Sequence, residues 1–361
     1  MYKVVFLLRS FNAGGIERVL INLINELYLS YSIYVVVVKN EGDLKSSILI
    51  PKEKIIDLGG MRLLKSVIPL CKALDSINPD VLITGGDIPN CIAVICKFLC
   101  KNKFKTIISQ HNYANSEANY FKLLKHAISF LYKRSDSVIA VSQGIEDFLK
   151  EYLKVKKNKI SLIYNPIDVD ECVEKSHQQI NNLNIENYLL FCGRLTSVKN
   201  LSFMIEAFAL LKEKDLNLVI CGDGPELEKL ISFATEKKIK SNVHFIGSVE
   251  NVFPWIRGSL YCLMSSTSEA FPMFVLESFA LNKLMVSTPT KGYLEIANDD
   301  ISFSSTSIED ISSYVNMMRL ALEKKNDEKI IKKIKCRISD FNKASIVNQY
   351  SILINSICEK D

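Results

Sequence analysis

The feature that most constrains the fold of this 361-residue chain is a rhythm of apolar runs that breaks once and begins again. Runs rich in Val, Ile, Leu and Phe at 3–8, 33–38, 81–84, 105–109, 137–141 and 159–163 read as strands, with helices between them near 15–29, 61–77, 89–101, 117–133 and 143–153. Strands that are apolar throughout are buried on both faces, which a parallel sheet covered by helical crossovers provides. The stretch from Tyr164 to Asn187 opens with Asn-Pro and is rich in Asn, Gln, Asp and Glu, so it reads as a linker. Strands at 188–192, 216–221, 243–246, 260–264, 284–288 and 301–303 then alternate with helices near 200–213, 225–238, 250–257, 272–281 and 308–323, and a Lys-rich helical tail closes the chain. The pattern predicts an α/β protein of two Rossmann-like, doubly wound parallel-sheet domains facing a cleft. Their expected limits are 1–170 and 188–340, with a linker at 171–187 and a C-terminal helix over 341–361 packing back toward the first domain. In such sheets ligands bind beyond the carboxyl ends of the strands.

Charge divides the two halves. The net charge of +5 is +7 over Met1–Asp170 and −2 over the remainder, with +8 concentrated between Lys97 and Lys159. A nucleic-acid binder would be basic throughout, so no nucleic-acid partner is expected; one basic face on one domain is. No apolar run reaches the roughly 18 residues that a membrane-spanning helix requires. The opening Met1–Leu8 lacks the basic start and small-residue cleavage site of a signal peptide and reads as the first strand. The ten cysteines form no CxxC pair and sit mostly in apolar runs, as reduced thiols of a cytoplasmic protein would. The four histidines have no metal-ligand spacing, so no metal site is expected.

Four strand ends carry residues to be weighed for chemistry. The first strand runs into Asn12-Ala13-Gly14-Gly15-Ile16-Glu17, where paired glycines and a helix start suit an anion. A tight strand-to-helix turn explains the same residues, and the dinucleotide fingerprint GxGxxG is absent, which argues against an NAD oxidoreductase. Strand 188–192 ends in Gly193-Arg194-Leu195-Thr196-Ser197-Val198-Lys199, and the two cations at a helix entry form a clamp for a diphosphate or are solvated loop charges. The next strand ends in Gly222-Asp223-Gly224-Pro225-Glu226. Strand 260–264 leads through Ser265-Ser266-Thr267-Ser268 to Glu269-Ala270-Phe271-Pro272-Met273 and on to Glu277. Two carboxylates at one strand end accept hydrogen bonds from a hydroxyl-rich ligand. The alternative is a helix-capping Glu269 and a Glu277 paired with a buried cation. Asp168-Val169-Asp170 is formally a D-x-D metal motif, but it begins the linker instead of ending a strand, so no metal is assigned to it.

Gly193-Arg194 with Lys199, the Gly222–Glu226 turn, Phe245-Ile246-Gly247 and Glu269-x₇-Glu277, in that order, resemble glycosyltransferase family 4, whose members are retaining GT-B enzymes using nucleotide-sugar donors. The resemblance spans nearly the whole chain, from Gly14-Gly15-Ile16-Glu17-Arg18 through Val141-Ser142 and Asn165-Pro166-Ile167-Asp168. One departure is Ala270, where Gly is commoner in the family. The resemblance implies that Arg194 and Lys199 grip the donor diphosphate and that Glu277 bonds the ribose diol. Glu269, with Ala270, Phe271, Pro272 and Met273, would hold the transferred sugar. Gly14, Gly15, Gly193 and Gly222 would line the donor. His111, at a strand end, would approach the donor sugar or be structural. Arg194, Lys199, Glu269 and His111 are thus the implied catalytic set, with no cofactor beyond the donor, a UDP-sugar carrying a hexose or N-acetylhexosamine.

The basic stretch interleaves Lys and Arg with Phe98, Phe104, Tyr120, Phe121, Phe130 and Tyr132, which suits an anionic membrane surface or a solvated Lys face. With the acceptor side of the fold in the first domain, the expectation is a peripheral enzyme on the inner face of the cytoplasmic membrane. It would act on a saccharide acceptor, lipid-linked, in O-antigen, capsule or related polysaccharide synthesis. Other GT-B chemistries (an epimerase or a phosphorylase) and a non-catalytic sugar-nucleotide binder are the competing readings.

Overall fold

The computed structural model describes residues 1–12, 14–60, 63–113, 119–180 and 185–359. The chain divides into two compact units, Met1–Pro166 with Lys343–Asp361, and Ile167–Asn342.

The first unit runs β1 (Lys3–Leu8), α1 (Gly15–Leu27), β2 (Ser32–Val37), β3 (Ile55–Asp57), α2 (Val67–Ile77), β4 (Val81–Gly85), α3 (Asp87–Leu99), β5 (Lys105–Gln110), α4 (Asn119–Arg134), β6 (Ser137–Ala140), α5 (Gln143–Asp147) and β7 (Ile160–Leu162). All seven strands are parallel in the order β3-β2-β1-β4-β5-β6-β7. Val4, Val5, Phe6, Val35, Val36, Ile83, Ile107 and Ile139 are fully buried, the reason these strands are apolar without alternation. The order reverses between β1 and β4, and their carboxyl ends open the crevice where such sheets bind ligands.

The second unit runs α6 (Val169–Lys175), β8 (Tyr188–Cys192), α7 (Leu201–Leu211), β9 (Asn217–Cys221), α8 (Leu227–Glu236), β10 (Val243–Gly247), α9 (Phe253–Gly258), β11 (Cys262–Met264), α10 (Met273–Ala280), β12 (Met285–Ser287), α11 (Lys291–Ala297), β13 (Phe303–Ser304), α12 (Ile311–Lys324) and α13 (Glu328–Ile338). Its six strands are parallel in the order β10-β9-β8-β11-β12-β13, so the switch point lies between β8 and β11.

Several features differ from the sequence reading. The segment 171–187, read as a linker, begins inside α6, whose N-terminus is capped by Asp168 accepting from the Glu171 N–H at 3.0 Å. The D-x-D is therefore the start of a helix. Cys172 on α6 is buried, and Asn251 fixes the following turn by donating to the Lys175 and Gln178 oxygens at 2.8 and 2.7 Å. Residues 181–184 of that segment lie outside the described residues, as do 61, 62, 117 and 118 of two expected helices. The Lys-rich tail is two helices, α13 and α14 (Lys343–Cys358), separated by a short 3-10 turn at Ser339–Phe341. α14 belongs to the first unit, where Lys343 pairs with Glu26 at 2.7 Å and the Tyr31 hydroxyl donates to Asn355 at 2.9 Å. Among the described residues no helix is long and apolar enough to cross a membrane.

Candidate functional site

In the second unit the carboxyl ends of β8, β9 and β10 are bonded to one another. The Gly193 N–H donates to the Cys221 carbonyl at 3.0 Å, Leu195 N–H to Asp223 O at 2.9 Å, and Gly222 N–H to Gly247 O at 2.7 Å. Gly222 has φ 145°, and a methyl group there would stand 1.9 Å from the Gly193 carbonyl oxygen. Only glycine allows the two loops this approach. The β8 loop then makes a 3-10 turn at Ser197–Lys199 and enters α7 through Asn200 in the left-handed conformation.

The β11 loop is laid across it. Thr267 N–H donates to Val198 O at 2.8 Å, and the Ser265 hydroxyl is shared between the carbonyls of Lys199 and Asn200 at 2.8 and 3.1 Å. Across the switch point the Lys199 ammonium meets the Glu269 carboxylate at 2.5 Å, and the Ser266 hydroxyl donates to the same carboxylate oxygen at 2.7 Å. Glu269 is thus held from two sides, and its carbonyl accepts from the Gly292 N–H at 3.1 Å. Glu269 is its only ion-pair partner among the described residues, so Lys199 has further N–H donors for a ligand. Arg194, on the same loop, is exposed and forms no ion pair among the described residues.

Ala270, Phe271 and Pro272 are buried and carry the chain into α10, which starts at Met273. Phe274 packs edge-on against Phe191 of β8 at 6.3 Å, fixing the helix to the sheet, and Phe271 packs against Phe341 at 5.4 Å. Glu277 lies in the second turn and is only 8% exposed. Burial, and then the Glu277 charge, push the Cys172 thiol up from its ordinary range, which places that carboxylate on the side of α10 facing α6. The second unit therefore brings together Gly193, Arg194, Lys199, Gly222 and Glu269, with Ala270 to Met273 and Glu277 continuing from them. The stitching by Ser265, Ser266 and Thr267 and the role of Gly292 were not assigned from sequence. The run of hydroxyl residues straight after an apolar strand was their visible signal.

Gly14, Gly15 and His111 lie in the first unit. Gly14 precedes α1, Gly15 begins it, and no side chain caps that end; Ala13, beside them in the glycine loop, lies outside the described residues. His111 follows β5 and is buried, with Nε2 2.9 Å from the Ser109 hydroxyl. That hydroxyl donates its one proton to Thr84 O at 3.0 Å, so His111 Nε2 carries hydrogen and Nδ1 is left as the acceptor. Burial lowers the imidazole to about 4, so it is neutral near pH 7. Its loop is braced from behind: Gln110 donates to Asp87 and to Asn112 O, both at 2.7 Å, and accepts from the Tyr132 hydroxyl at 2.6 Å.

Residues 13–171 match the family model described as Glycosyltransferase Family 4, and residues 173–336 the model described as Glycosyl transferases group 1. This chain belongs to the GT-B glycosyltransferases of family 4. A Campylobacter jejuni N-acetylgalactosamine-N,N'-diacetylbacillosaminyl-diphospho-undecaprenol 4-alpha-N-acetylgalactosaminyltransferase is 26% identical over an alignment of 370 positions, covering 96% of this chain and 97% of that protein. The Escherichia coli O-antigen biosynthesis glycosyltransferase WclY is 28% identical over 261 residues, 68% of this chain and 72% of the relative. Among solved structures, Anabaena HepE in complex with UDP shares the fold with a TM-score of 0.80 at 18% identity, over 98% of this chain and all of that one. As a family 4 glycosyltransferase the chain is a transferase built on two parallel-sheet Rossmann-like domains, and the residues named above lie at the strand ends of those sheets.

Proposed function

We propose that this glycosyltransferase moves a hexosyl or N-acetylhexosaminyl group from a UDP-sugar to a lipid-linked saccharide, with retention of configuration at the transferred carbon, in the assembly of a cell-surface polysaccharide. The observation that carries the reading is the meeting of Lys199 and Glu269 across the β8–β11 switch point, with Arg194 exposed on the same loop. A cation pair suits a diphosphate, and a carboxylate beside it suits the hydroxyls of the attached sugar. The UDP bound to HepE supports a uridine diphosphate donor. The diphospho-undecaprenol in the name of the Campylobacter relative supports a lipid-linked acceptor, and the O-antigen role of WclY supports the polysaccharide assignment.

In this reading Arg194 and Lys199 take up diphosphate oxygens. Glu277 accepts from the ribose hydroxyls. Glu269 and the backbone of Ala270, Phe271, Pro272 and Met273 orient the sugar. The bond from C1 to the diphosphate oxygen breaks as the acceptor oxygen bonds C1 from the same face, and the acceptor's proton passes to the departing oxygen. No side chain becomes a nucleophile, so the two-carboxylate scheme of glycoside hydrolases does not apply to Glu269 and Glu277. Catalysis is positioning together with stabilisation of the charge gathering on the diphosphate.

The basic segment of the first unit supports attachment to an anionic membrane on the inner face. Phe98, Leu99, Leu124 and Phe130 are exposed there, and Arg134 lies 4.7 Å over the Phe130 ring. Part of the charge is used within the fold: Lys97 pairs with Asp136 at 2.5 Å, and Lys159 donates to the Lys133 and Ser135 carbonyls at 2.8 and 2.7 Å. The side chains of Tyr120, Phe121, Lys122 and Leu123 lie outside the described residues.

The test is a panel of nucleotide sugars incubated with a short-chain prenyl-diphosphate disaccharide, the product read by mass spectrometry and by the anomeric coupling constant in NMR. The expected result is one added hexose or N-acetylhexosamine from a UDP-sugar with the donor's α configuration. An inverted product, or no elongation with any nucleotide sugar, overturns the reading.

A further inference from the structure

Ser265 and Ser266, the two residues that follow β11, are both fully buried, and each hydroxyl has a defined target. The Ser265 hydroxyl ties the segment to the β8 loop through the Lys199 and Asn200 carbonyls. The Ser266 hydroxyl donates its one proton to Glu269 Oε1 at 2.7 Å, the oxygen that also meets the Lys199 ammonium. Oε1 therefore carries both bonds, and Oε2 accepts none among the described residues. The loop leaving β12 holds the same segment at two further points. The Thr288 hydroxyl, also fully buried, donates to the Ser266 carbonyl at 2.6 Å, and the Gly292 N–H donates to the Glu269 carbonyl at 3.1 Å. Thr288 is itself fixed to the sheet, its N–H donating to Met264 O at 3.1 Å.

A hydrogen bond to a carboxylate is stronger than one between neutral groups, and here it fixes which oxygen is engaged. Lys199 alone cannot fix it, because its ammonium ends a flexible stem and, in the transferase reading, also serves the diphosphate. Ser266 has no such second task, since with no exposed surface it reaches no ligand. We propose that Ser266, with Thr288 behind it, is a positioning residue for transfer: it holds the Glu269 carboxylate by Oε1 so that Oε2 receives one hydroxyl of the transferred sugar. Thr288 acts one step further back, by keeping the Ser266 peptide in place. Side chains that support a ligand-binding group in this way set its geometry without touching the ligand. Both residues therefore serve the sugar half of the donor and not its nucleotide. The proposal rests on the transferase reading above and assigns to that reaction two residues outside its donor set.

The test uses the full chain, the UDP-sugar from which it transfers best, and analogues of that donor lacking one sugar hydroxyl at a time. Transfer is followed by mass spectrometry and UDP affinity by calorimetry. Ser266→Ala is expected to lower kcat/KM at least tenfold. Thr288→Val, which keeps the side-chain shape without the hydroxyl, lowers it at least threefold, and Thr288→Ser, which keeps a hydroxyl, stays within twofold of wild type. Every variant binds UDP within twofold of wild type. On the one deoxy donor that lacks the hydroxyl Glu269 accepts, wild type and Ser266→Ala differ by less than twofold, because the contact that Ser266 supports is already gone. Should Ser266→Ala fail to fold, Thr288→Val carries the same comparison. The proposal is overturned if both hydroxyl-free variants transfer at the wild-type rate, if UDP affinity falls along with transfer, or if the loss is the same factor on every deoxy donor. Any of these, with wild-type transfer intact, removes the positioning assignment alone. A wild-type chain that transfers from no nucleotide sugar removes the transferase reading and this proposal with it.

Discussion

Lys199 and Glu269 are 70 residues apart in sequence and 2.5 Å apart in space, and neither is fully buried. A largely buried ion pair gains little net stability because desolvation offsets the attraction, so its value is positional: it aims an ammonium and a carboxylate at one place. Glu269→Gln keeps a neutral hydrogen-bond acceptor for Lys199 and Ser266 while removing the charge that would bond a sugar hydroxyl. A charged hydrogen bond is worth roughly 1.5–3 kcal/mol, so transfer is expected to fall at least tenfold in kcat/KM while UDP affinity stays within twofold. Unchanged transfer would contradict that role. His111 makes a separate prediction. Burial holds its imidazole at about 4 instead of 6.5, so between those values the unfolded chain binds a proton that the folded chain does not. Stability therefore rises with pH through this window, by about 3 kcal/mol over its full width, and is lost as pH falls from 6.5 toward 4. Thermal melts at pH 4.5 and 7 should differ more for the wild type than for His111→Gln. Equal differences would mean that His111 is not held neutral by the fold.

The loops are the elements that make the site, and their glycines carry the close contacts. Gly222→Ala would force a methyl into the Gly193 carbonyl at 1.9 Å and hold a side-chain residue at φ 145°. The expected cost exceeds about 3 kcal/mol, read as a fall in melting temperature of roughly 6 °C or more. Gly292→Ala would press on the Ala270 carbonyl carbon and oxygen at 2.6 Å, displacing the turn between Glu269 and α10. It should raise the KM for the sugar donor more than the Kd for UDP, and equal changes in both would show that the contact does not position Glu269. Most strands were legible in sequence because parallel strands are apolar on both faces and end in turn residues. β3 was missed because a three-residue edge strand, partly exposed, carries only Ile55-Ile56 as a signal. α6 and α11 have seven residues each, too short for a helical period to stand out. The site residues were legible as types at strand ends. Their pairing was not: the contact between Lys199 and Glu269 exists because β8 and β11 are sheet neighbours, and strand order is decided by packing of the whole unit, not by the local sequence.

At the scale of the whole molecule, each sheet brings different chemistry to its switch point. The second unit carries Arg194, Lys199 and Glu269 on the β8 and β11 loops, the first a cavity lined by Arg9, Glu17, Lys39 and Asp87 and, elsewhere, a basic face with exposed aromatic and aliphatic side chains. The net charge of +5 averages a basic and a slightly acidic half. If the basic face meets a membrane, flotation with vesicles of anionic lipid should carry the protein upward, zwitterionic vesicles should not, and a rise in salt should release it. Equal flotation with both lipids would contradict attachment through this face. The central claim is the diphosphate clamp, and calorimetric titration of UDP tests it most directly. The account predicts one UDP per wild-type chain, with affinity reduced at least tenfold in both Arg194→Ala and Lys199→Ala and no change in their melting temperatures. UDP binding of wild-type strength in either variant would contradict it.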